Sequence, residues 1–317
     1  MTPIRYFVTL PEKRLLEELG EPPAGIEIGV WDLRTVPVGV SLDDVQVVVL
    51  PYLDAGSRLG SLASLPALEL VQTQTTGYDG VVEAVAPHVA VATASGVHAA
   101  ATAELALGLT LASLRGIDEA ARDQREELWQ PQRRPSLADR KVLLVGVGGI
   151  GEEIARRLDP FEVQLSRVGR TPRDDARGHV HGTSELASLA AEAEVLIVIT
   201  PLTEETTHLI DADVLASLPD GALVVNVARG PVVDSDALTA EVVSGRLHCA
   251  IDVFDPEPIP SGHPLWQAPN ALITPHVGGN TSAFEPRIRS LLRRQLVALS
   301  TGQRPRNLVQ AGAFLDR

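Results

Sequence analysis

Residues 141–158 read KVLLVGVGGIGEEIARRL: an apolar segment of strand length, a turn carrying Gly146, Gly148, Gly149 and Gly151, and then a stretch of helical character. Glycines at 146, 148 and 151 fit G-x-G-x-x-G, with Ile150 inside the same turn. In that pattern the first glycine permits a tight turn, the second lets the backbone approach a pyrophosphate, and the third lets helix and strand pack closely. The start of the helix then presents free N–H groups and a partial positive charge to the phosphates. A glycine-rich turn alone can be purely structural. The strand before this one and the helix after it make it read as a dinucleotide site.

Toward the C-terminus, strand-length apolar segments recur at 163–168, 195–199, 223–227 and 272–274, with a shorter one at 249–252, and helix-like stretches lie between them. Strands alternating with helices predict a doubly wound parallel sheet. Toward the N-terminus the same rhythm appears at 6–8, 26–30, 45–50, 70–72 and 89–92, predicting a second α/β domain with a mainly parallel sheet. Residues 98–114 are almost all Ala, Leu, Thr and Gly, with Glu104 the only charge, and read as a buried connecting helix. The segment 130–140, QPQRRPSLADR, reads as an exposed loop. Helical spacing in FEPRIRSLLRRQLVALSTG predicts a last helix returning to the first domain. The expected division is 1–98 with 283–317 as one domain, and 99–282 as the dinucleotide-binding domain inserted into it.

With 317 residues, 44% of them hydrophobic, there is enough apolar material for two cores. A formal charge of −14 opposes nucleic-acid and anionic-membrane partners. The longest apolar runs fall far short of the roughly 18 residues of a membrane span. One cysteine, Cys249, and an N-terminal stretch without the apolar core of a signal peptide fit a reducing cytoplasm. The helix at 98–114 is too apolar to face water, which predicts a symmetric homodimer burying part of it.

Ligands in open α/β sheets bind beyond the carboxyl ends of the strands. Here those ends carry Thr200 and Pro201, Arg229, Asp252 and His276, while the loop after Asp252 offers Glu257 or Asp255. A cation, an imidazole and a carboxylate in one crevice suit a 2-keto acid. Arginine binds a carboxylate bidentately and polarises a carbonyl, and histidine titrates near neutrality and exchanges a proton with the oxygen as hydride moves. A neighbouring carboxylate stabilises the imidazolium.

An NAD site calls for an acid about 20 residues past the first glycine, to bind the ribose hydroxyls. The strand ends instead in Gly169, Arg170, Thr171, Pro172 and Arg173. Gly169 is expected to leave room for an extra group, and Arg170, with Arg173 beyond it, to clasp a 2′-phosphate. The expected cofactor is therefore NADP(H) in preference to NAD(H), with NAD(H) still possible. His179 and His181 lie in a polar segment without an evident set of partner ligands, so no metal is expected.

Five ordered blocks resemble the D-isomer-specific 2-hydroxyacid dehydrogenases over nearly the whole chain: GVGGIG, TPLTEETTHLID (200–211), VNVARGPVVDSDAL (225–238), AIDVFDPEP (250–258) and HPLWQAPNALITPHVGGNT (263–281). The resemblance implies a Rossmann domain inserted into a flavodoxin-like substrate domain. It implies Arg229 as the substrate-binding arginine, Glu257 as the carboxylate and His276 as the acid/base. Asp252 would lie near the nicotinamide, Pro201 against the adenine, and Thr102, Ala228 and Gly278 around the cofactor. Gly77, with Thr76 and Tyr52, would meet the substrate, and closure of one domain on the other would complete the site. The missing ribose acid resembles the glyoxylate and hydroxypyruvate reductases of the family. The alternatives are a phosphoglycerate-type dehydrogenase and a non-enzymatic NAD(P)-sensing binding protein.

Overall fold

The computed structural model describes residues 6–315, and these fall into two compact units. One runs to His98 and resumes at Ser282; the other is Ala99–Thr281.

The first unit holds a six-stranded sheet in the order Leu308–Gln310, Ala90–Ala92, Leu70–Gln72, Val47–Val49, Tyr6–Leu10, Ile26–Val30. All pairings are parallel except the first, which is antiparallel. Taken in chain order, the five parallel strands lie 2-1-3-4-5, the flavodoxin-like arrangement. The inner strands Val47–Val49, Leu70–Gln72 and Ala90–Ala92 are buried throughout because parallel strands are covered on both faces. The helix Phe284–Ser300 places Ile288, Leu291, Leu292, Leu296 and Leu299 at three- and four-residue spacing, and this stripe packs into the core of Val8, Leu10 and Leu70. Gln295 donates to Gln72 Oε1 at 2.7 Å inside that core, which fixes the returning helix in register.

The second unit also holds six parallel strands, ordered Ala271–Ile273, His248–Ile251, Leu223–Asn226, Val195–Val198, Lys141–Val145, Gln164–Val168. Beyond Val168 a single parallel bridge to His181 adds a vestigial outer strand, so the order is the Rossmann one with its third strand reduced to one residue pair. The glycine-rich turn lies where the chain order reverses, between Lys141–Val145 and Val195–Val198.

The helix Ala99–Arg115 buries Ala103, Ala106, Leu107, Leu109 and Leu114 in the core beside the helix Gly149–Leu158 and the strands Leu223–Asn226 and His248–Ile251. Its apolar composition is thus answered within the chain, and by itself it demands no second copy. This corrects the reason given above for expecting a dimer. Three features are not read in the sequence: the short helix Ile117–Asp123, the antiparallel hairpin Arg173–Asp175 with Gly178–Val180, and the edge strand Leu308–Gln310.

Candidate active site

At the glycine-rich turn, sterics separate the glycines by role. Gly146 has φ 114°, and a Cβ there would lie 2.5 Å from the Ile199 carbonyl oxygen; a Cβ on Gly151 would lie 2.0 Å from the Gly146 oxygen. Both are required for backbone packing. Gly148 and Gly149, at the start of the helix Gly149–Leu158, would meet nothing within 4 Å, so this side of the turn is open to a ligand. Across the switch point, Thr200 Oγ1 is buried without a hydrogen-bond partner among the described residues. An open cradle of N–H groups beside an unsatisfied hydroxyl fits a dinucleotide.

Beyond the far strands of the same unit, three loops converge. His276 Nδ1 and Glu257 Oε2 are 2.8 Å apart. Glu257 is held from its other oxygen, which accepts the Phe254 N–H at 3.1 Å. His276 has φ 51°, a left-handed conformation rare outside glycine, and its N–H donates to the Asp252 carbonyl at 2.8 Å. The buried Asp252 carboxylate ties down the rest of this loop, accepting from Thr274 Oγ1 at 2.6 Å, Val277 N–H at 2.9 Å and Gly278 N–H at 2.8 Å. Thr102 sits against the same turn: a Cβ on Gly278 would lie 3.4 Å from its methyl group.

Arg229 enters from the turn after Leu223–Asn226. That turn is shaped by the buried Asn226, which accepts from the Ala228 N–H at 3.0 Å and donates to the Arg229 carbonyl at 3.2 Å, while Arg229 Nη1 donates to the Ala228 carbonyl at 2.7 Å. A Cβ on Gly230 would lie 2.0 Å from the Phe254 carbonyl oxygen, so only glycine brings the arginine loop against the Glu257 loop.

The hydrogen bond that Glu257 accepts raises the pKa of His276; burial opposes this, and the Glu257 charge adds to it against the lowering effect of Arg229. For Glu257, burial pushes upward, but the bond and charge of His276, the Phe254 N–H and Arg229 together leave it lowered. The Glu257 carboxylate thus favours the protonated form of the imidazole, against burial and the Arg229 cation.

At the end of the strand Gln164–Val168, a Cβ on Gly169 would lie 2.8 Å from Val147 Cγ2, 3.1 Å from Val180 Cγ1 and 3.3 Å from Arg173 Nη1. Gly169 therefore lets the strand end pack against the glycine-rich turn and does not leave open room, a correction to the sequence reading. The guanidinium of Arg173 lies beside it, and Thr171 is exposed. Arg170 is exposed too, and pairs with Glu205, its Nε donating to Oε2 at 2.9 Å. The hairpin that follows is anchored by the buried Arg167, bidentate to Asp175 at 2.7 and 2.9 Å, and this bond holds the Asp175 carboxyl down at about 2.

In the first unit, Thr76 Oγ1 is buried without a partner among the described residues, next to Gly77, whose carbonyl accepts from Thr75 Oγ1 at 2.6 Å. Tyr52, Phe284 and His98 form a mutually stacked cluster, with ring centroids 4.2 Å apart for Tyr52 and Phe284, 5.1 Å for His98 and Phe284 and 5.7 Å for Tyr52 and His98.

Comparison with known proteins places this geometry. Residues 107–278 match the family described as D-isomer specific 2-hydroxyacid dehydrogenase, NAD binding domain. A glyoxylate reductase of Thermofilum pendens is 33% identical over 255 residues, covering 77% of this chain and 75% of the relative. The chain belongs to the D-isomer specific 2-hydroxyacid dehydrogenases. Mouse glyoxylate reductase/hydroxypyruvate reductase is 35% identical over 216 residues, 66% of each chain. Among solved structures, the NADPH-dependent glyoxylate/hydroxypyruvate reductase of Sinorhizobium meliloti, in complex with NADP and malonate, is similar at TM-score 0.82 and 31% identity, covering 99% of both chains. A family member from Xanthobacter autotrophicus, in complex with NADPH and MES, is similar at TM-score 0.82 and 28% identity, covering 96% of this chain and 98% of that one. The dehydrogenase is an NAD(P)-dependent 2-hydroxyacid oxidoreductase.

Four residues that shape the dehydrogenase's site were missed in the sequence: Asn226, Thr274, Gly230 and Glu205. Asn226 had a signal, a polar residue closing an apolar strand. The other three act through contacts far apart in the chain. The dehydrogenase also gathers His179, His181 and Glu185, with one ligating atom from each within 4.8 Å of the others, so the two histidines do have a third potential ligand. Each imidazole is hydrogen-bonded to a carboxylate at 2.9 Å, His179 to Asp174 and His181 to Glu185. Among the described residues no helix is long and apolar enough to cross a membrane.

Proposed function

We propose that the dehydrogenase reduces a small 2-keto acid of the glyoxylate and hydroxypyruvate class to its D-2-hydroxy acid, with NADPH preferred over NADH, and catalyses the reverse oxidation. The observation that carries this reading is the 2.8 Å pair of His276 and Glu257 beside Arg229, a proton donor whose charged form the carboxylate favours, next to a cation suited to binding a carboxylate.

When bound, the reduced nicotinamide supplies hydride. His276 gives its proton to the substrate's carbonyl oxygen and takes it back in the oxidation; Glu257 keeps the imidazole oriented and charged. Arg229 binds the substrate carboxylate and polarises the carbonyl. The turn Gly146, Gly148, Gly149, Ile150 and Gly151 at the start of the helix would hold the cofactor's pyrophosphate, with Thr200, Pro201 and Ala228 as further residues that would hold the cofactor. Asp252, with Thr102 and Gly278 beside it, would hold the nicotinamide end. Arg170 and Thr171 would take the 2′-phosphate. Residues 99–282 serve as the dinucleotide-binding domain, and 1–98 with 283–317 as the substrate domain, where Gly77, Thr76 and Tyr52 meet the substrate; the unsatisfied Thr76 hydroxyl supports that role.

NADPH preference draws support from the absence of an acid at the end of Gln164–Val168 and from the two relatives solved with NADP or NADPH. The protein works in the cytoplasm as a homodimer. Support for the dimer lies in the stretch after the connecting helix, where Ile117, Leu128 and Trp129 are 56%, 49% and 94% exposed. Steady-state loss of NADPH and NADH absorbance with glyoxylate, hydroxypyruvate, pyruvate, bulkier keto acids and phosphohydroxypyruvate tests the assignment. Turnover only with the phosphorylated acid would favour the phosphoglycerate-type reading; cofactor binding without turnover of any keto acid would favour a sensor.

A further inference from the structure

We infer that Glu205 sets the strength of the cofactor preference by competing with the 2′-phosphate for Arg170, an inference that rests on the NADPH reading above. The two residues are 35 positions apart in sequence, yet Glu205 Oε2 accepts from both Nε and Nη2 of Arg170. The carboxylate is delivered by an ordered turn. Glu204–Thr206 is a helical turn in which Thr206 Oγ1 accepts the Thr203 N–H at 2.8 Å and donates to the Pro201 carbonyl at 2.7 Å, and the Thr207 N–H returns to the Thr203 carbonyl at 2.9 Å. This turn continues directly from Thr200 and Pro201, on the rim assigned to the cofactor.

Arg170 is the first side chain after Gly169, where an NAD site would place its ribose-binding acid. An acid does stand at this rim, supplied by a different loop and directed at the arginine. Both groups are well exposed, 77% for Arg170 and 63% for Glu205, so the pair contributes little to stability of the fold. Its effect is on the ligand. To take a phosphate, the guanidinium must turn from Glu205, and the displaced carboxylate remains beside a group carrying roughly −1.5 to −2 charges. Both costs fall on NADPH. NADH, whose ribose ends in an uncharged hydroxyl, incurs neither. Arg173, with its Nη1 beside Gly169, is a second cation at the same end, so NADPH is still held. The consequence is a graded preference, weaker than the two arginines alone would give, with Glu205 acting through Arg170 as a positioning residue.

The test is isothermal titration of the full-length protein with NADPH and NADH, and with the adenosine fragments 2′,5′-ADP and 5′-AMP, in wild type, Glu205→Gln, Arg170→Ala and the double variant. Glu205→Gln is expected to tighten NADPH and 2′,5′-ADP by about ten-fold and leave NADH and 5′-AMP within about two-fold. Arg170→Ala is expected to weaken NADPH and 2′,5′-ADP selectively, and in its background Glu205→Gln is expected to change them by less than about three-fold, because the two residues act as a unit. If Arg170→Ala weakens NADPH but Glu205→Gln leaves the NADPH to NADH ratio unchanged, or shifts it equally with and without Arg170, the role of Glu205 is overturned and the NADPH reading stands. If Arg170→Ala leaves NADPH binding unaltered, the assignment of Arg170 fails and the role of Glu205 fails with it.

Discussion

In the proposed mechanism His276 is the residue on which the chemistry turns, and its surroundings show how a loop is tied down around it. A left-handed backbone costs a non-glycine residue roughly 1–2 kcal/mol. The bond to the Asp252 carbonyl and the three bonds to the Asp252 carboxylate fix that conformation and direct the ring to Glu257. His276→Ala should lower turnover by about 10²- to 10⁴-fold while leaving NADPH affinity by titration nearly unchanged; an equal loss in affinity would place His276 in cofactor binding. The pH dependence follows from the raised pKa. Reduction needs the imidazolium, so its rate falls as pH rises through the His276 pKa, whereas oxidation needs the neutral ring and gains over the same range. Glu257→Gln removes the negative charge and leaves at most a neutral hydrogen bond where a charge-assisted one raised this pKa, so both limbs should move to lower pH. A profile unchanged in the variant would remove Glu257 from the mechanism. His276 was legible in the sequence because it follows an apolar strand in a Pro-His-Val-Gly-Gly loop. The strand-end reasoning left Glu257 and Asp255 as equals, since a loop carboxylate has no period to place it; the Phe254 N–H that holds Glu257 is a tertiary contact.

At the scale of elements, glycines decide how loops meet. Gly230 brings the Arg229 loop onto the Phe254 carbonyl, and Gly230→Ala must displace backbone. The variant should lose about 1–3 kcal/mol or more of stability, with Tm falling by several degrees, together with most activity. Unchanged melting and unchanged kcat/KM would show that the two loops need not touch. The strands were legible because parallel strands covered on both faces are short apolar runs, and the helix Phe284–Ser300 because its apolar residues repeat at helical spacing. The hairpin at 173–180 was not, since RDD and GHV are polar and their pairing is fixed by the buried Arg167 reaching Asp175. Gly169 was misread for a related reason: a missing side chain looks like space, and here Val147 and Val180 fill it. Gly169→Asp therefore crowds the glycine-rich turn as well as adding charge, which makes Arg170→Ala the cleaner probe of cofactor choice.

Over the whole molecule, the βαβ rhythm was enough to separate two parallel-sheet units, and the strand order of each places its ligand edge. Assembly was less legible. The apolar connecting helix suggested a partner, yet its buried face is covered within its own unit; the exposed Trp129 is the stronger argument. Light scattering should give twice the 33.7 kDa chain mass, and Trp129→Glu should shift the equilibrium toward the monomer. Monomer mass for the wild type at assay concentration would remove the dimer. The most direct test of the central claim is NADPH consumption with glyoxylate and hydroxypyruvate, followed at 340 nm for wild type and His276→Ala at matched cofactor saturation. The predicted result is turnover by the wild type, faster with NADPH than with NADH, that drops by at least about 10²-fold in the variant. Wild-type protein that binds NADPH but consumes none with any 2-keto acid, or a variant that turns over as fast as wild type, would contradict the account.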